Sequence, residues 1–273
     1  MAKKITYKDS GVDITANDRM VEMIKGAMRS TYGPRVMDRH GAFAGLFRID
    51  SDTALFRRNY RKPVLVGCAD GVGSKVLVAV QVGAYQSVGI DLVAMNVNDM
   101  ITMGAEPLFL LDYVALHTLE PARVAEIVAG VADGCRQAGC ALLGGETAEM
   151  PDLYAPSHFD LAAMAVGVVE IDGVIDGSTV APGDVAIGLP SSGLHSNGFS
   201  LVRRMVFTEA GLAIDDRPEP LGGQTVGQTL LTPTRIYVKT VLAILDDHRR
   251  DVHAMAHITG GGLADNVARV VPD

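Results

Sequence analysis

The sequence predicts an α/β protein (α+β, with mixed sheets). Short apolar runs that are typical of buried strands alternate with longer segments in which apolar residues recur every three or four positions. Several of these runs lead into glycine-rich turns with a helical pattern behind them, as Pro63–Val66 does. A chain of 273 residues, 48% of them apolar, can form one large domain or two medium ones.

Composition narrows the classes of function. The formal net charge of −8 and the lack of Trp argue against nonspecific binding to nucleic acids or anionic membranes, and against base-stacking surfaces. No apolar run approaches the roughly 18 residues of a membrane span, and Met1–Lys8 does not begin a signal peptide. Cys68, Cys135 and Cys140 have no paired spacing, so we expect reduced thiols and a cytoplasmic protein.

The first helix is expected after an extended arm at Tyr7–Ile14. Thr15 can cap this helix, and Gly33-Pro34 ends it. Lys25 lies off its apolar stripe, which on the residues alone favours a solvated lysine. A strand is expected at Leu46–Ile49. The later elements follow from apolar runs and from helical spacing bounded by Gly or Pro: strands at Pro63–Val66, Leu108–Val114, Ala141–Leu143, Leu161–Val169, Asp184–Leu189 and Val252–Ile258, and helices at Val76–Val82, Ser87–Met103, Ala122–Gln137, Phe199–Ala210, Thr232–Asp247 and Leu263–Val271.

The octet Cys68–Lys75 is the segment around which the chain is organised. Gly71 and Gly73 let the backbone turn sharply, so that its N–H groups can approach an anion at the start of a helix. Asp70 could hold Mg²⁺, and Lys75 could neutralise phosphoryl charge. The alternative is a tight turn with an N-capping Asp70.

Two common nucleotide motifs are excluded. The chain contains no Gly-Lys pair, so it has no Walker A motif. Val76 occupies the place of the third glycine in a dinucleotide fingerprint. A bound nucleotide would therefore need another arrangement.

Four polar residues interrupt the apolar helix expected at Ser87–Met103, namely Asp91, Asn96, Asn98 and Asp99. Buried polar groups need partners, which a metal, a phosphate or an internal hydrogen-bond network could supply. We favour ligand binding because Asp70 offers another carboxylate nearby in the sequence.

A second strand, glycine turn and acid are expected at Gly144-Gly145-Glu146, which makes Glu146 the third candidate Mg²⁺ ligand after Asp70 and Asp99. Ile171–Pro182 is interpreted as a linker, which gives domains at 1–171 and 172–273.

Two further turns complete the candidate site. Ser191, Ser192, His195 and Asn197 precede a helix and could hold a phosphate, although an ordinary capped loop would look the same. His257 stands at the mouth of the turn Thr259–Gly262, where an acid–base or metal-binding role is favoured over a core histidine.

Taken together, these turns resemble the phosphoribosylformylglycinamidine cyclo-ligase (aminoimidazole ribonucleotide synthetase) family. The matching stretches run in family order along nearly the whole chain: Tyr7–Ile14, Asp70–Lys75, Gly89–Asp99, Gly104–Tyr113, Gly144–Pro151, Ser191–Arg203, Thr232–Lys239 and His257–Gly262. The resemblance implies a two-domain synthetase fold whose N-terminal sheets join in a barrel-like interface of a homodimer. It also implies that ATP and Mg²⁺ serve to close formylglycinamidine ribonucleotide to aminoimidazole ribonucleotide.

The resemblance assigns roles residue by residue. Asp70, Asp99 and Glu146 would hold Mg²⁺ and the ATP phosphates, and Lys25 would bind ATP. Lys75, Asp99 and His257 would act near the reacting centre. The remaining assignments are ATP binding by Gly71, Gly73, Asn98, Gly144 and Gly145, and substrate binding by Ser191, Ser192, His195, Asn197 and Thr259.

The sequence departs from the family pattern in three places. Met37–Gly45 is poorer in glycine than the family's loop, Cys68-Ala69 replaces Gly-Thr, and family members continue beyond Asp273 to complete their C-terminal domain. The alternatives are another ATP-using relative, such as a selenophosphate synthetase, a thiamine-monophosphate kinase or an amidotransferase-coupled synthetase, and a non-catalytic nucleotide-binding module.

Overall fold

The computed structural model describes residues 14–38, 44–50 and 59–271. The expected arm before the first helix therefore lies outside the described residues, as do the centre of the 37–45 loop and residues 51–58. The main elements are helices α1 (Ile14–Arg29), α2 (Val76–Val82), α3 (Gln86–Thr102), α4 (Pro121–Ala138), α5 (Phe199–Arg203), α6 (Val226–Leu230), α7 (Val238–His248) and α8 (Gly262–Val267), and strands β1 (Pro63–Gly71), β2 (Glu106–Leu116), β3 (Ala141–Glu149) and β4 (Phe159–Glu170).

The four strands form one mixed sheet in the order β1-β4-β2-β3. The central strand β4 is antiparallel to both β1 and β2, whereas β2 and β3 are parallel and are connected through α4. The mixed α/β prediction is confirmed by this sheet, which does not close into a barrel within the described residues.

Helices α3 and α4 cover one face of this sheet. Helix α3 is buried on almost every side, because it lies beneath the sheet and also contacts α4 and α7. The other face of the sheet carries apolar side chains in the open: Leu65 is 66% exposed, Met164 47% and Tyr113 39%. One face of the sheet is thus a core and the other is an uncovered apolar surface.

Three expected strands do not form. Leu46–Ile49 contributes a single bridge, between Phe47 and Val36. Asp184–Leu189 and Val252–Ile258 adopt no strand structure, and Val185 is 83% exposed. A strand needs a hydrogen-bonding neighbour, and within the described residues the last two segments join no sheet.

Several boundaries also differ from the expected ones. Strand β3 continues to Glu149, so that Gly144 and Gly145 lie inside a strand rather than in a turn. Gly145 has no room for a side chain, because a Cβ there would collide with the side chain of Asp112 on β2. The helix expected from Thr232 starts only at Val238, because the backbone before it binds side chains of α3.

Helix α5 passes into a π-helical segment at Arg204–Glu209, and α8 ends at Val267. The three cysteines are free thiols, as expected. None of the helices within the described part of the chain is long and apolar enough to cross a membrane.

Candidate active site

The end of β1 is held by the side-chain amide of Asn96 on α3. Asn96 Oδ1 accepts from the backbone N–H of Asp70 at 3.1 Å, and Asn96 Nδ2 donates to the Asp70 carbonyl at 3.3 Å. The Asp70 carboxylate accepts the Gly71 N–H through Oδ1 at 2.7 Å, which leaves Oδ2 for a ligand. Gly73 then turns the chain with a φ of 71°, a backbone conformation that favours glycine.

Lys75 is buried completely. Its ammonium contacts Asp91 Oδ2 at 2.8 Å and donates to the carbonyl oxygens of His195 and Thr232, also at 2.8 Å. Two carbonyls thus use two of the three N–H bonds of the ammonium, and the Asp91 carboxylate compensates its charge. The expected contact between Lys75 and a phosphoryl group is therefore wrong in this arrangement, because burial has committed the charge to the protein.

The internal-network alternative is correct for three of the four polar residues on α3. Asp91 accepts two hydrogen bonds from Thr234, at 2.7 Å from its backbone N–H and 2.6 Å from its hydroxyl. Asn98 donates to the Arg235 carbonyl at 2.8 Å and accepts from the Tyr237 N–H at 3.1 Å. Asn98 thus fixes the segment before α7, and the ATP-binding role expected for it stays a prediction.

Asp99 is the fourth polar residue, and it differs from the other three. Its side chain is 48% exposed, and its Oδ1 accepts from His257 Nδ1 at 2.7 Å. The bond fixes the His257 ring, which is only 12% exposed, with Nε2 as its second nitrogen. The structure therefore brings together two residues that lie 158 positions apart in the chain.

Asp70 and Asp99 both lie near Cys68. The pKa of the Cys68 thiol is raised to about 11, first by burial, then by the charge of Asp99 and also by that of Asp70. A charge must be close to act in this way. The two carboxylates thus lie near the same thiol, Asp70 at the end of β1 and Asp99 in the last turn of α3.

Glu146 does not join these two carboxylates. One row of paired residues crosses the sheet from β1 to β3: it consists of Asp70 on β1, Ala163 on β4, Asp112 on β2 and Gly145 on β3. Glu146 is the next residue, so its side chain lies on the opposite, uncovered face, and three strand spacings of about 4.8 Å separate β1 from β3. Among the described residues, no three His, Cys, Asp or Glu side chains are grouped to hold a metal, so the expected three-carboxylate site is wrong for a single chain.

His195 occupies the loop that precedes α5. It has a φ of 58°, which is uncommon for a residue other than glycine. The backbone N–H groups of Ser192 and Arg235 donate to its Nε2, at 3.1 and 3.5 Å. Burial, with the positive charges of His257, Lys75 and Arg235, lowers the pKa of His195 from its ordinary value.

The remaining candidates are placed as follows. Ser192 donates to the Pro233 carbonyl at 2.7 Å, and Asn197 is exposed beside it. Thr259 donates to Asn266 at 3.3 Å, and Lys25 pairs with Glu22 on the surface of α1. Ser191 is exposed, and Gly144 lies within β3. The roles expected for these residues stay predictions.

Thr234 and Asp112 were not predicted from the sequence. The requirement of Asp91 for a partner was the available signal for Thr234, but 143 positions separate the two residues. Asp112 sits in an apolar strand, where burial raises the pKa of its carboxyl to about 7. An acid in a run of apolar strand residues was the available signal for Asp112.

Two family models match the chain: AIR synthase related protein, N-terminal domain, at residues 50–169, and its C-terminal domain at residues 181–273. A phosphoribosylformylglycinamidine cyclo-ligase of Trichlorobacter lovleyi is 52% identical over 98% of this chain and 74% of that protein. The chain belongs to the phosphoribosylformylglycinamidine cyclo-ligase family.

Other members of the cyclo-ligase family agree with this assignment. The protein of that name from Limosilactobacillus reuteri is 49% identical over 98% of this chain and 75% of that protein. The chain thus spans about three quarters of the length of these relatives.

Solved structures show the same fold at greater distance. A thiamine-monophosphate kinase from Stenotrophomonas maltophilia superposes with a TM-score of 0.61 at 19% identity, covering 92% of this chain and 71% of that chain. The hydrogenase maturation protein HypE in complex with ATP also gives 0.61, at 18% identity, covering 96% of this chain and 67% of that chain. These similarities extend to the fold alone.

Proposed function

We propose that this chain closes the imidazole ring of aminoimidazole ribonucleotide from formylglycinamidine ribonucleotide, using ATP and releasing ADP and phosphate. The observation that carries the proposal is about 52% identity, across 98% of the chain, to proteins named phosphoribosylformylglycinamidine cyclo-ligase. Within purine biosynthesis this reaction makes the protein an ATP-dependent ligase.

The reaction needs an activated carbon and a nearby nucleophile. The formyl amide oxygen takes the γ-phosphoryl group of ATP, and the bond to ADP breaks. The amidine nitrogen then attacks the same carbon, the C–O bond breaks, and phosphate leaves with that oxygen while the nitrogen gives up a proton. Holding the two ends at attack distance supplies much of the acceleration in such ring closures.

Asp70 and Asp99 would hold Mg²⁺. Two carboxylates with free oxygens suit this ion, which protein sites usually bind through one or two carboxylates together with substrate phosphates. When bound, Mg²⁺ neutralises charge on the phosphates of ATP. Both side chains are accessible, and both lie close enough to Cys68 to raise its pKa.

His257 would take the proton from the amidine nitrogen. Its Nδ1–H is directed at Asp99, so Nε2 carries the lone pair that can accept a proton. The substrate would lie between this ring and the loop of Ser192 and His195. The ring of His195 is near enough to His257 for the charge of His257 to lower the pKa of His195.

A homodimer would cover the exposed apolar face of the sheet. Leu65, Met164 and Tyr113 lie on that face of adjacent strands, and an exposed apolar patch of this kind marks an interface. Glu146 would lie within this interface. A cytoplasmic location and the absence of nucleic-acid binding remain predictions.

Coupling of ADP release to product formation tests the proposal. Purified protein with Mg·ATP is assayed for ADP with and without formylglycinamidine ribonucleotide, and aminoimidazole ribonucleotide is measured in parallel. We expect ADP to depend on the substrate and to match the product one to one. Tight ATP binding without product would indicate a binding module, and ADP release without this product would indicate a relative with another substrate.

A further inference from the structure

The ion pair of Lys75 and Asp91 is buried between two parts of the chain. Both side chains have no exposed surface, and their charged groups are 2.8 Å apart. Lys75 lies between β1 and α2, and Asp91 lies in α3. A buried pair of this kind is seldom a net source of stability, because removing two charges from water costs several kcal/mol per ion.

The side-chain hydrogen-bond partners of this pair among the described residues come from two later segments. Lys75 donates to the carbonyls of His195 and Thr232, and Asp91 accepts both hydrogen bonds of Thr234. The two charges therefore hold the loop of His195 and the segment before α7 side by side.

The same two segments orient the ring of His195. One N–H that donates to Nε2 comes from Ser192 in the loop, and the other comes from Arg235, next to Thr234. A nitrogen that accepts from N–H groups carries no proton, so the proton of the neutral ring is on Nδ1. Among the described residues Nδ1 has no hydrogen-bond partner, which leaves Nδ1–H for a ligand.

The backbone at His195 needs such support. A non-glycine residue with a positive φ costs free energy and persists where the surroundings determine it. His195 has a φ of 58°, and its own carbonyl accepts a hydrogen bond from the buried ammonium of Lys75 at 2.8 Å. The strained residue is thus fixed by its own carbonyl and by its ring.

We propose that Lys75 and Asp91 are positioning residues, and that they hold His195 as the Nδ1–H tautomer, a neutral donor to an oxygen of the phosphorylated substrate. The proposed function supplies only the identity of that substrate. The placement of the ring follows from contacts within the free protein.

The first test reads the tautomer without any ligand. Protein labelled with ¹⁵N-histidine is examined by NMR near neutral pH, and the signals of His195 are assigned by comparison with His195→Asn, since Asn tolerates a positive φ. We expect a protonated Nδ1 and an unprotonated Nε2. A proton on Nε2, or a mixture of tautomers, would overturn the proposal whether or not the protein closes the ring.

The second test removes the pair while limiting the loss of stability. Lys75→Met alone leaves a buried unpaired carboxylate, so we expect the folding equilibrium to fall on the order of several hundred-fold. Adding Asp91→Leu should restore most of this loss, because the remaining groups are apolar. Thr225→Ala serves as the matched control, since it removes the capping box of α6 and destabilises the fold away from His195.

The double variant separates positioning from folding. We expect mixed tautomers at His195 and a rise of about tenfold or more in the KM for formylglycinamidine ribonucleotide, the size expected when a hydrogen bond to a charged group is lost, with little change in the KM for ATP. Thr225→Ala should lower stability without either effect. A double variant that folds and keeps both the tautomer and the substrate KM would refute the positioning role, and if it does not fold, the tautomer of the unmodified protein decides.

Discussion

Asp112 should make the stability of this protein fall as the pH rises towards neutrality. Its carboxyl lies on the helix-covered side of β2, between Ala163 and Gly145. Burial raises the pKa of this carboxyl from 3.8 to about 7, against a smaller opposing effect of its own backbone amide. Between pH 3.8 and about pH 7, the folded protein therefore keeps a proton on Asp112 that the unfolded chain has already released.

The magnitude follows from linkage. Where the folded state binds more protons than the unfolded state, the free energy of unfolding decreases with pH. A difference of about three pKa units corresponds to about 4 kcal/mol in total, of which about 2–3 kcal/mol falls between pH 5 and pH 8. Asp112→Asn does not titrate, so this part of the pH dependence should disappear in the variant.

The assay is urea unfolding of both proteins at a series of pH values from about 5 to 8. We expect the stability of Asp112→Asn, relative to the unmodified protein, to rise by about 2–3 kcal/mol across this range. The exposed Asp215→Asn should show a constant difference. Two parallel curves for Asp112→Asn would refute the account of a buried carboxyl that is protonated in the folded state.

Three further predictions follow from particular contacts. Gly145→Ala should lower the unfolding free energy measured in urea by about 1–3 kcal/mol, because its Cβ would meet the side chain and carbonyl of Asp112. The control Gly144→Ala should cost much less, because its Cβ would meet only Leu111, at 3.7 Å. Equal losses in the two variants would show that contact with Asp112 is not the cause. Leu65→Glu should convert a dimer to a monomer in analytical ultracentrifugation, and Leu201→Glu, which alters another exposed leucine, should not; a dimer that survives Leu65→Glu would place the interface elsewhere. Asp99→Asn should leave the thermal unfolding midpoint within a few degrees and lower kcat on the order of 100-fold, and unchanged steady-state kinetics would exclude Asp99 from the reacting centre.

Local pattern determined much of the fold. The periodicity of α3 and α4 and the apolar runs of β1, β2 and β4 appear in the sequence because a helix or strand with one buried side repeats its apolar residues at a fixed spacing. The free cysteines and the family membership were likewise present in the residues themselves. The strand predicted at Asp184–Leu189 does not form, because an apolar pattern does not specify which neighbouring strand would pair with it.

The residues of the site were recognised more easily than their roles. Asp91 and Asn98 were correctly singled out as polar groups that require partners, and their partners Thr234 and Arg235 lie more than 100 positions away. Lys75 was expected to meet a phosphoryl group, and it pairs instead with Asp91. Glu146 follows the same local pattern as Asp70, but side chains alternate along a strand, and its place in β3 puts it on the other face of the sheet.

The sequence by itself determined which residues can carry charge, turn sharply or enter a core, because these are properties of each residue and its near neighbours. Only the tertiary structure decided which charges meet. Lys75 is bound by Asp91 inside the protein, Asp99 is joined to His257, and the ring of His195 is held by two backbone amides. Electrostatic and hydrogen-bonding partners act over a few ångströms in space, and folding sets those distances without regard to separation along the chain.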